Sequence, residues 1–466
     1  MKTTLLPLLV ILSACVRPIG PDYQRPEITT QTYRNIQFRT PNPQATITRE
    51  SRGWERFKDS KLQLLLKQFK ADNIDLKQAW LTYQQSKDMY RQQRSDLFPM
   101  LGINQTVENQ RTSENMPSPF PINGFTYQGG SFLSTLDTAW ELDLWGKLRR
   151  QLESKKAISK AKQAQLSQLT LSLEAELITQ YFNLCALKQD KDIHQVLLQQ
   201  QQNLQQIIQN KVQVGSSTEL ELSQSNIEIA KIKAEQHQLN QQEDFLENQI
   251  SLLLSQNVSS TKKLLTASRL PSIPYTPIGI QSDLLERRPD LAEAEQQLIA
   301  ANALIGVAKA QFFPSIRLIG SIGYLSGDLK QLFEPNSLIW NVGPRVNIPL
   351  FAAGKSIFNL RNTKNEVQIA RLQYQKTFLK AVSEVENQLS QAHHLKNQAQ
   401  QITIAEHEQK NAVTILRNQF ELGSGNYTEL LNGQKELLKL QRLHLQIDLQ
   451  QVLTQVNLIK ALGGGL

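Results

Sequence analysis

FLSTLDTAWELDL, residues 132–144, decides the fold of this chain. One parity reads Phe132, Ser134, Leu136, Thr138, Trp140, Leu142 and Leu144. The other reads Leu133, Thr135, Asp137, Ala139, Glu141 and Asp143. That is period two, with an apolar face and an acidic face, and it predicts a strand between oil and water. The pattern returns in LIWNVGPRVNIPL, residues 338–350. There Leu338, Trp340, Val342, Pro344, Val346, Ile348 and Leu350 oppose Asn341, Gly343, Arg345 and Asn347. Leu101–Val107 and Ile316–Tyr324 alternate less cleanly. The expected strands cover about 100–112, 128–145, 315–326 and 338–351. Each is close to the ~9–11 residues that carry a tilted strand across a bilayer. Trp140 and Trp340 fit an aromatic girdle.

The chain is written twice. Phe98-Pro99 returns as Phe313-Pro314, Gly146-Lys147 as Gly354-Lys355, and Gly215-Ser216 as Gly423-Ser424. The last two shifts are both 208 residues (354 − 146 and 423 − 215). That is too long for a solenoid period and reads as a duplicated unit. Each copy has a helical stretch ending at Phe-Pro, two alternating segments, then a very long helical pattern broken once at Gly-Ser. Neither Pro nor Gly occurs between Gly146 and Gly215, a span of roughly 100 Å as helix. Ile232, Leu239, Leu246 and Leu253 recur in sevens, as do Leu431, Leu438, Leu445, Val452 and Ile459. Heptads sustained this long predict antiparallel coiled-coil hairpins.

The expected organisation is a signal peptide (1–14), an extended tether (15–52), a first repeat (53–270), a connector (271–279) and a second repeat (280–466). Within the first repeat, Gly53–Leu66 reads as a short helix and Asn73–Leu97 as a longer one stopped by Pro99. The connector carries Pro271, Pro274 and Pro277.

At the N-terminus Lys2 and the apolar run Leu5–Leu12 form a short secretory signal. It ends in Leu12-Ser13-Ala14-Cys15, which resembles a bacterial lipobox, so Cys15 is the expected site of lipidation. Val16, rather than Asp, follows it and favours the outer membrane. No other stretch approaches the ~18 apolar residues of a spanning helix, so any further crossing is by strands. The second cysteine, Cys185, lies in a helical pattern and reads as a packed small residue. The formal charge of +9 is spread along Gln-rich helices with no basic patch among aromatics, which argues against nucleic-acid binding.

A sheet in a membrane must close on itself. Four strands cannot close, since the smallest outer-membrane barrels have about eight. The barrel must be shared between chains: two chains give a filled interior, three give room for a pore. The polar parity (Asp137, Glu141, Asp143, Arg345, Asn347) suits a wet lumen.

The segment LLERRPDLAEAEQQLIAANALIGVAKAQFFPSIRL, residues 284–318, resembles the marker segment of the TolC/OprM-like outer-membrane efflux proteins, particularly their NodT-type lipoproteins. Gly20-Pro21-Asp22-Tyr23, Trp54 with Phe57 and Asp59, and Val456 through Gly464 are also similar to that family. The resemblance implies a mainly α fold with a membrane β part: a homotrimer with a twelve-stranded barrel in the outer membrane and a periplasmic α-barrel. It implies the exit duct of a tripartite pump, with a periplasmic adaptor gripping the helical tips and an inner-membrane pump supplying energy. The tips would be Val214, Gly215 and Ser216 in one copy and Leu422, Gly423 and Ser424 in the other. Where the family often carries a Leu and, four residues on, an Asp at the periplasmic gate, this chain has Thr428 and Asn432. Glu221 stands where the first hairpin usually has Asp.

Glycines at 215 and 423 suit the left-handed conformation that ends a helix; the returning helices are expected to start near Thr218 and Thr428, capped by the Ser or Thr that follows each glycine. The six histidines show no H-E-x-x-H spacing and read as solvated helix-face residues; no metal, cofactor or catalytic role is expected. Alternative readings are a type I protein-secretion duct, which the lipobox weighs against, and a structural periplasmic coiled-coil lipoprotein, which would conduct no current.

Overall fold

Two 67-residue helices, one in each copy, run without a break between the glycine landmarks. The computed structural model describes residues 18–27, 53–113, 128–265, 269–273 and 284–464. Cys15, most of the expected tether and most of the connector lie outside the described residues. In chain order the elements are α1 (Ser60–Asp72), α2 (Ile74–Ser95), β1 (Met100–Arg111), β2 (Gln128–Leu142), α3 (Lys147–Gln213), α4 (Glu219–Leu254) and α5 (Val258–Leu264). The second part has α6 (Leu284–Arg287), α7 (Pro289–Ala310), β3 (Ser315–Ser326), β4 (Leu338–Asn347), α8 (Lys355–Glu421) and α9 (Tyr427–Ala461). Among the described residues no helix is long and apolar enough to cross a membrane.

Packing does not follow the repeats. One unit holds the described residues up to Glu27 with Thr82–Gln163 and Glu293–Tyr374. The other holds the described residues of Ile28–Leu81 and Ala164–Ala292 with those of Gln375–Leu466. Each unit therefore draws on both copies.

The first unit contains an antiparallel sheet in the order β1-β2-β3-β4. Two neighbouring rows show the apolar and the polar parity most clearly. Ile103, Leu136, Ile322 and Trp340 stand opposite one another across all four strands, all exposed. The next row is Gly102, Asp137, Ser321 and Asn341. In that row Asp137 accepts hydrogen bonds from Ser321 Oγ at 2.6 Å and from Thr135 Oγ1 at 3.1 Å. Trp140 pairs with Leu318 and Pro344, four positions along β4 from Trp340, so the two tryptophans occupy different levels of the apolar face.

The strand expected to reach residue 145 stops at Leu142. Asp143 turns to cap α3, accepting from Leu148 N and Arg149 N, and Gly146 takes φ +76°. The strand expected to reach 351 stops at Asn347, two residues before Pro349, which has no N–H to give a ladder.

In the second unit the core lies among α1, α3, α4 and α9. Leu62, Leu65 and Phe69 pack with Leu177, Ile178 and Phe182, Ile250 and Leu254, and Val456 and Ile459. The heptad residues Ile232, Leu239, Leu253, Leu431, Val452 and Ile459 are buried. Gly53–Leu66 is not one helix. A 3₁₀ turn over Gly53–Phe57 ends at Lys58, whose φ is +51°, and Asp59 then caps α1 by accepting from Lys61 N and Leu62 N. Asp59 also takes the Tyr181 hydroxyl at 2.8 Å, so this break is built into the core.

Candidate functional site

The two hairpin tips have the same geometry. Ser216 N donates to Lys211 O and Gly215 N to Val212 O; Ser424 N donates to Gln419 O and Gly423 N to Phe420 O. This is a Schellman closure at both helix ends, with the glycines at φ +73° and +79°. Each serine hydroxyl donates to the same carbonyl as its own backbone N–H. Val214 and Leu422, just before the glycines, are 78% and 84% exposed, so each tip offers an aliphatic side chain to water.

The returning helices are capped differently. Thr218 caps α4, its hydroxyl accepting from Glu221 N. Thr428 does not cap α9: Asn426 does, taking Thr428 N at 2.8 Å, because the helix begins one residue earlier, at Tyr427. Tyr427 is fully buried among Leu204, Ile208, Phe420 and Leu431, which fixes that earlier start. Lys211 reaches across the hairpins: its ammonium donates to Phe420 O at 2.7 Å and lies 4.2 Å from the Phe420 ring centre.

Of the expected gate residues, Thr428 and Asn432 are exposed on α9. Glu221 is half-buried and accepts the Ser217 hydroxyl, so its carboxylate has a local partner at the start of α4. Gln201–Gln434 at 2.7 Å and Glu228–Lys435 at 2.8 Å further join the hairpins.

Sequence reasoning missed Lys211, Asn426 and Tyr427. Asn426 immediately before a helical pattern was a usable cap signal. Lys211 and Phe420 are separated by 209 residues, and no local pattern links them. Histidine 194 is the clearest correction. It is buried rather than solvated, lying between Asp190 and Glu235, and these partners raise its pKa to about 9. Cys185 is buried in the core, and burial pushes its thiol up to about 12, so it remains a neutral packing group.

A sheet with one apolar and one wet face, joined to long helical hairpins, defines a membrane channel class. The chain belongs to the outer membrane efflux protein family, whose model matches residues 65–256 and 280–464. It is 31% identical over 463 residues to the probable efflux pump outer membrane protein TtgC of Pseudomonas putida KT2440, covering 98% of this chain and 93% of the relative. It is 29% identical over 475 residues to the cation efflux system protein CusC of Escherichia coli K12, covering 99% of each. The solved outer-membrane channel OprN superposes with a TM-score of 0.89 at 27% identity, covering 96% of this chain and 99% of that one. The protein is an efflux channel of the outer membrane, and its part is that of an exit duct.

Proposed function

We propose that three copies share one twelve-stranded barrel and form a passive duct for drugs or other small molecules. The observation that carries this is the pair of open sheet edges. Among the described residues β1 pairs only with β2 and β4 only with β3, and unpaired strand edges cannot be hydrated inside a bilayer. The helices support it too. Leu220 and Ile227, Phe245 and Leu252, and Leu372 and Leu379 are exposed apolar pairs at seven-residue spacing, which leaves seams for a neighbour. Cys15 carries the lipid on this reading. The exposed tips at Val214–Ser216 and Leu422–Ser424 receive a periplasmic adaptor, which connects the duct to an inner-membrane pump. Glu221, Thr428 and Asn432 line the periplasmic gate.

Mass measurement in mild detergent is expected to give three chains. Cysteines placed on β1 and β4, with Cys185 replaced by Ala, are expected to crosslink between chains and not within one. A stable monomer with full β content overturns the reading.

A further inference from the structure

We propose that Arg317 and Arg345 form a fixed positive row on the wet face of the sheet, which makes the pore favour anions; this rests on the shared-barrel reading. The two arginines are partners in register across β3 and β4, and Glu141 is the partner of Arg317 on β2. Like charges directly opposite on a sheet destabilise it, so the pair needs compensation. The carboxylate in reach is Glu141, 3.6 Å from Arg317, and Lys147 holds it closer, at 3.0 Å. Arg345 is exposed and makes no ion pair among the described residues. Three cations (Lys147, Arg317, Arg345) thus face one anion, a surplus of two per chain.

The nearby carboxylates do not erase that surplus. Asp143 is occupied by Arg149 and by the first N–H groups of α3. Asp137 lies on the same face but four positions along β2, about 13 Å away at strand spacing. That exceeds the Debye length of about 8 Å at physiological ionic strength. The row between them is Ala139, Ile319 and Gly343, which carries no charge. The Arg317 side chain is 62% exposed, so the charge is presented rather than buried. Glu141, Arg317 and Arg345 share the parity of Asp137, opposite the apolar row of Leu136 and Trp340, and Lys147 reaches Glu141 from the start of α3. Low-dielectric walls focus the field of such a row on the solution between them. The ligand class is small anions, chloride and organic carboxylates alike, attracted in passing rather than held.

The test uses the full-length purified protein in planar bilayers under a potassium chloride gradient. Wild type is expected to pass chloride several-fold better than potassium, with the preference greatest at low salt. Arg317→Gln/Arg345→Gln is expected to bring the permeability ratio to near one or below. Arg317→Lys/Arg345→Lys is expected to keep the anion preference, which shows that the charge and not the fold is being read. A wild type that conducts without preferring chloride overturns the proposal and shows that a neighbouring chain neutralises the row. An unchanged ratio in the Gln variant overturns it as well. Absence of any conductance in wild type overturns the shared-barrel reading instead.

Discussion

His194 Nε2 lies 2.9 Å from Glu235 Oε2, and the second hairpin repeats this pairing with the helices exchanged. There His444 on the return helix α9 meets Glu406 on the outgoing helix α8, Nδ1 to Oε2 at 2.6 Å. The four residues stand 21, 20, 21 and 17 positions from their tip glycines (215 − 194, 235 − 215, 444 − 423, 423 − 406). Arg442 joins the two hairpins at this level by pairing with Asp190 at 3.0 Å. Each hairpin thus carries a histidine–carboxylate clip at a similar distance from its tip, with the two halves on opposite helices.

The first clip gives a pH dependence with a definite sign. Asp190, Glu235 and the backbone carbonyl of Asp190 hold the His194 imidazolium, and Arg442 fixes Asp190 from α9. A pKa raised from about 6.5 to about 9 means the contribution is complete below about pH 6.5 and is lost as pH rises through about 9. Thermal unfolding of the wild type is expected to show a falling midpoint between pH 7 and pH 10. His194→Gln is expected to be less stable at pH 7 by about 1.5–3 kcal/mol, the range for hydrogen bonds to charged groups, and to lose this slope. Equal slopes in the two proteins contradict the assignment.

Arg288 shows what the Arg-Pro-Asp stretch does physically. Its guanidinium is buried and donates to Ala461 O at 2.8 Å, to Asp290 at 2.7 and 3.0 Å, and to Glu384 at 2.8 Å. One side chain thereby ties the end of α9 to the start of the second copy. Arg288→Ala leaves the Ala461 carbonyl and two partly exposed carboxylates without their donor and is expected to cost about 1–3 kcal/mol. Arg288→Lys keeps the charge but not the planar fork and is expected to fall between. Denaturant midpoints of the three proteins, in the same detergent, provide the check. A lysine variant as stable as wild type shows that charge alone suffices.

These cases mark where the sequence was legible. The strand stretches, the glycine turns and the heptads are local patterns, and period two or seven exposes them directly. The sheet rows follow from alternation, because a slip of one residue would turn Leu136 and Trp340 into the water. What stayed hidden depends on partners far apart in the chain. His194 reads as a surface histidine until Glu235 is brought 2.9 Å away, and Lys211 reads as one of many lysines until it meets Phe420. The break at Lys58 turns on a positive φ that no periodicity announces, although Asp59 ahead of a helical pattern was a usable cap signal. Packing units that mix the copies are invisible to any reading by repeats.

The segment after the expected lipid site is strapped to the first unit. Ile19 N donates to Trp145 O, Asp22 pairs with Arg150, and Tyr23 and Arg25 both bond Glu295. Gly20, at φ +115°, lies against Gly306, where an added Cβ would sit 2.3 Å from Ile19 O. Gly306→Ala must therefore displace the strap, at about 1–3 kcal/mol. Limited proteolysis is expected to cut the variant near Arg25 many times faster than wild type. Labelling with a fatty-acid analogue is expected in wild type and in Gly306→Ala, and to vanish in Cys15→Ala. Equal labelling of all three excludes Cys15 as the acceptor.

The tips allow shape and surface to be separated. No atom lies within 4 Å of a Cβ added to Gly215 or Gly423, so alanine there meets no clash and suffers only from the positive φ, about 1 kcal/mol. Ser216 and Ser424 differ: their backbone N–H groups close the turn, while their side chains contribute one hydroxyl bond each and are exposed. A bulky side chain at the serines leaves the turn closed and changes what the tip presents. If the tips dock an adaptor, Ser216→Trp/Ser424→Trp is expected to bring drug susceptibility to the level of a deletion strain. Trimer amount and outer-membrane location should stay normal in that variant. Gly215→Ala/Gly423→Ala is expected to pump at close to the wild-type level, because its surface is nearly unchanged. Should the tryptophan variant pump normally and still crosslink to the adaptor, the tips are turns and nothing more. Should the alanine variant fail instead, the precise path of the turn matters more than the face it carries.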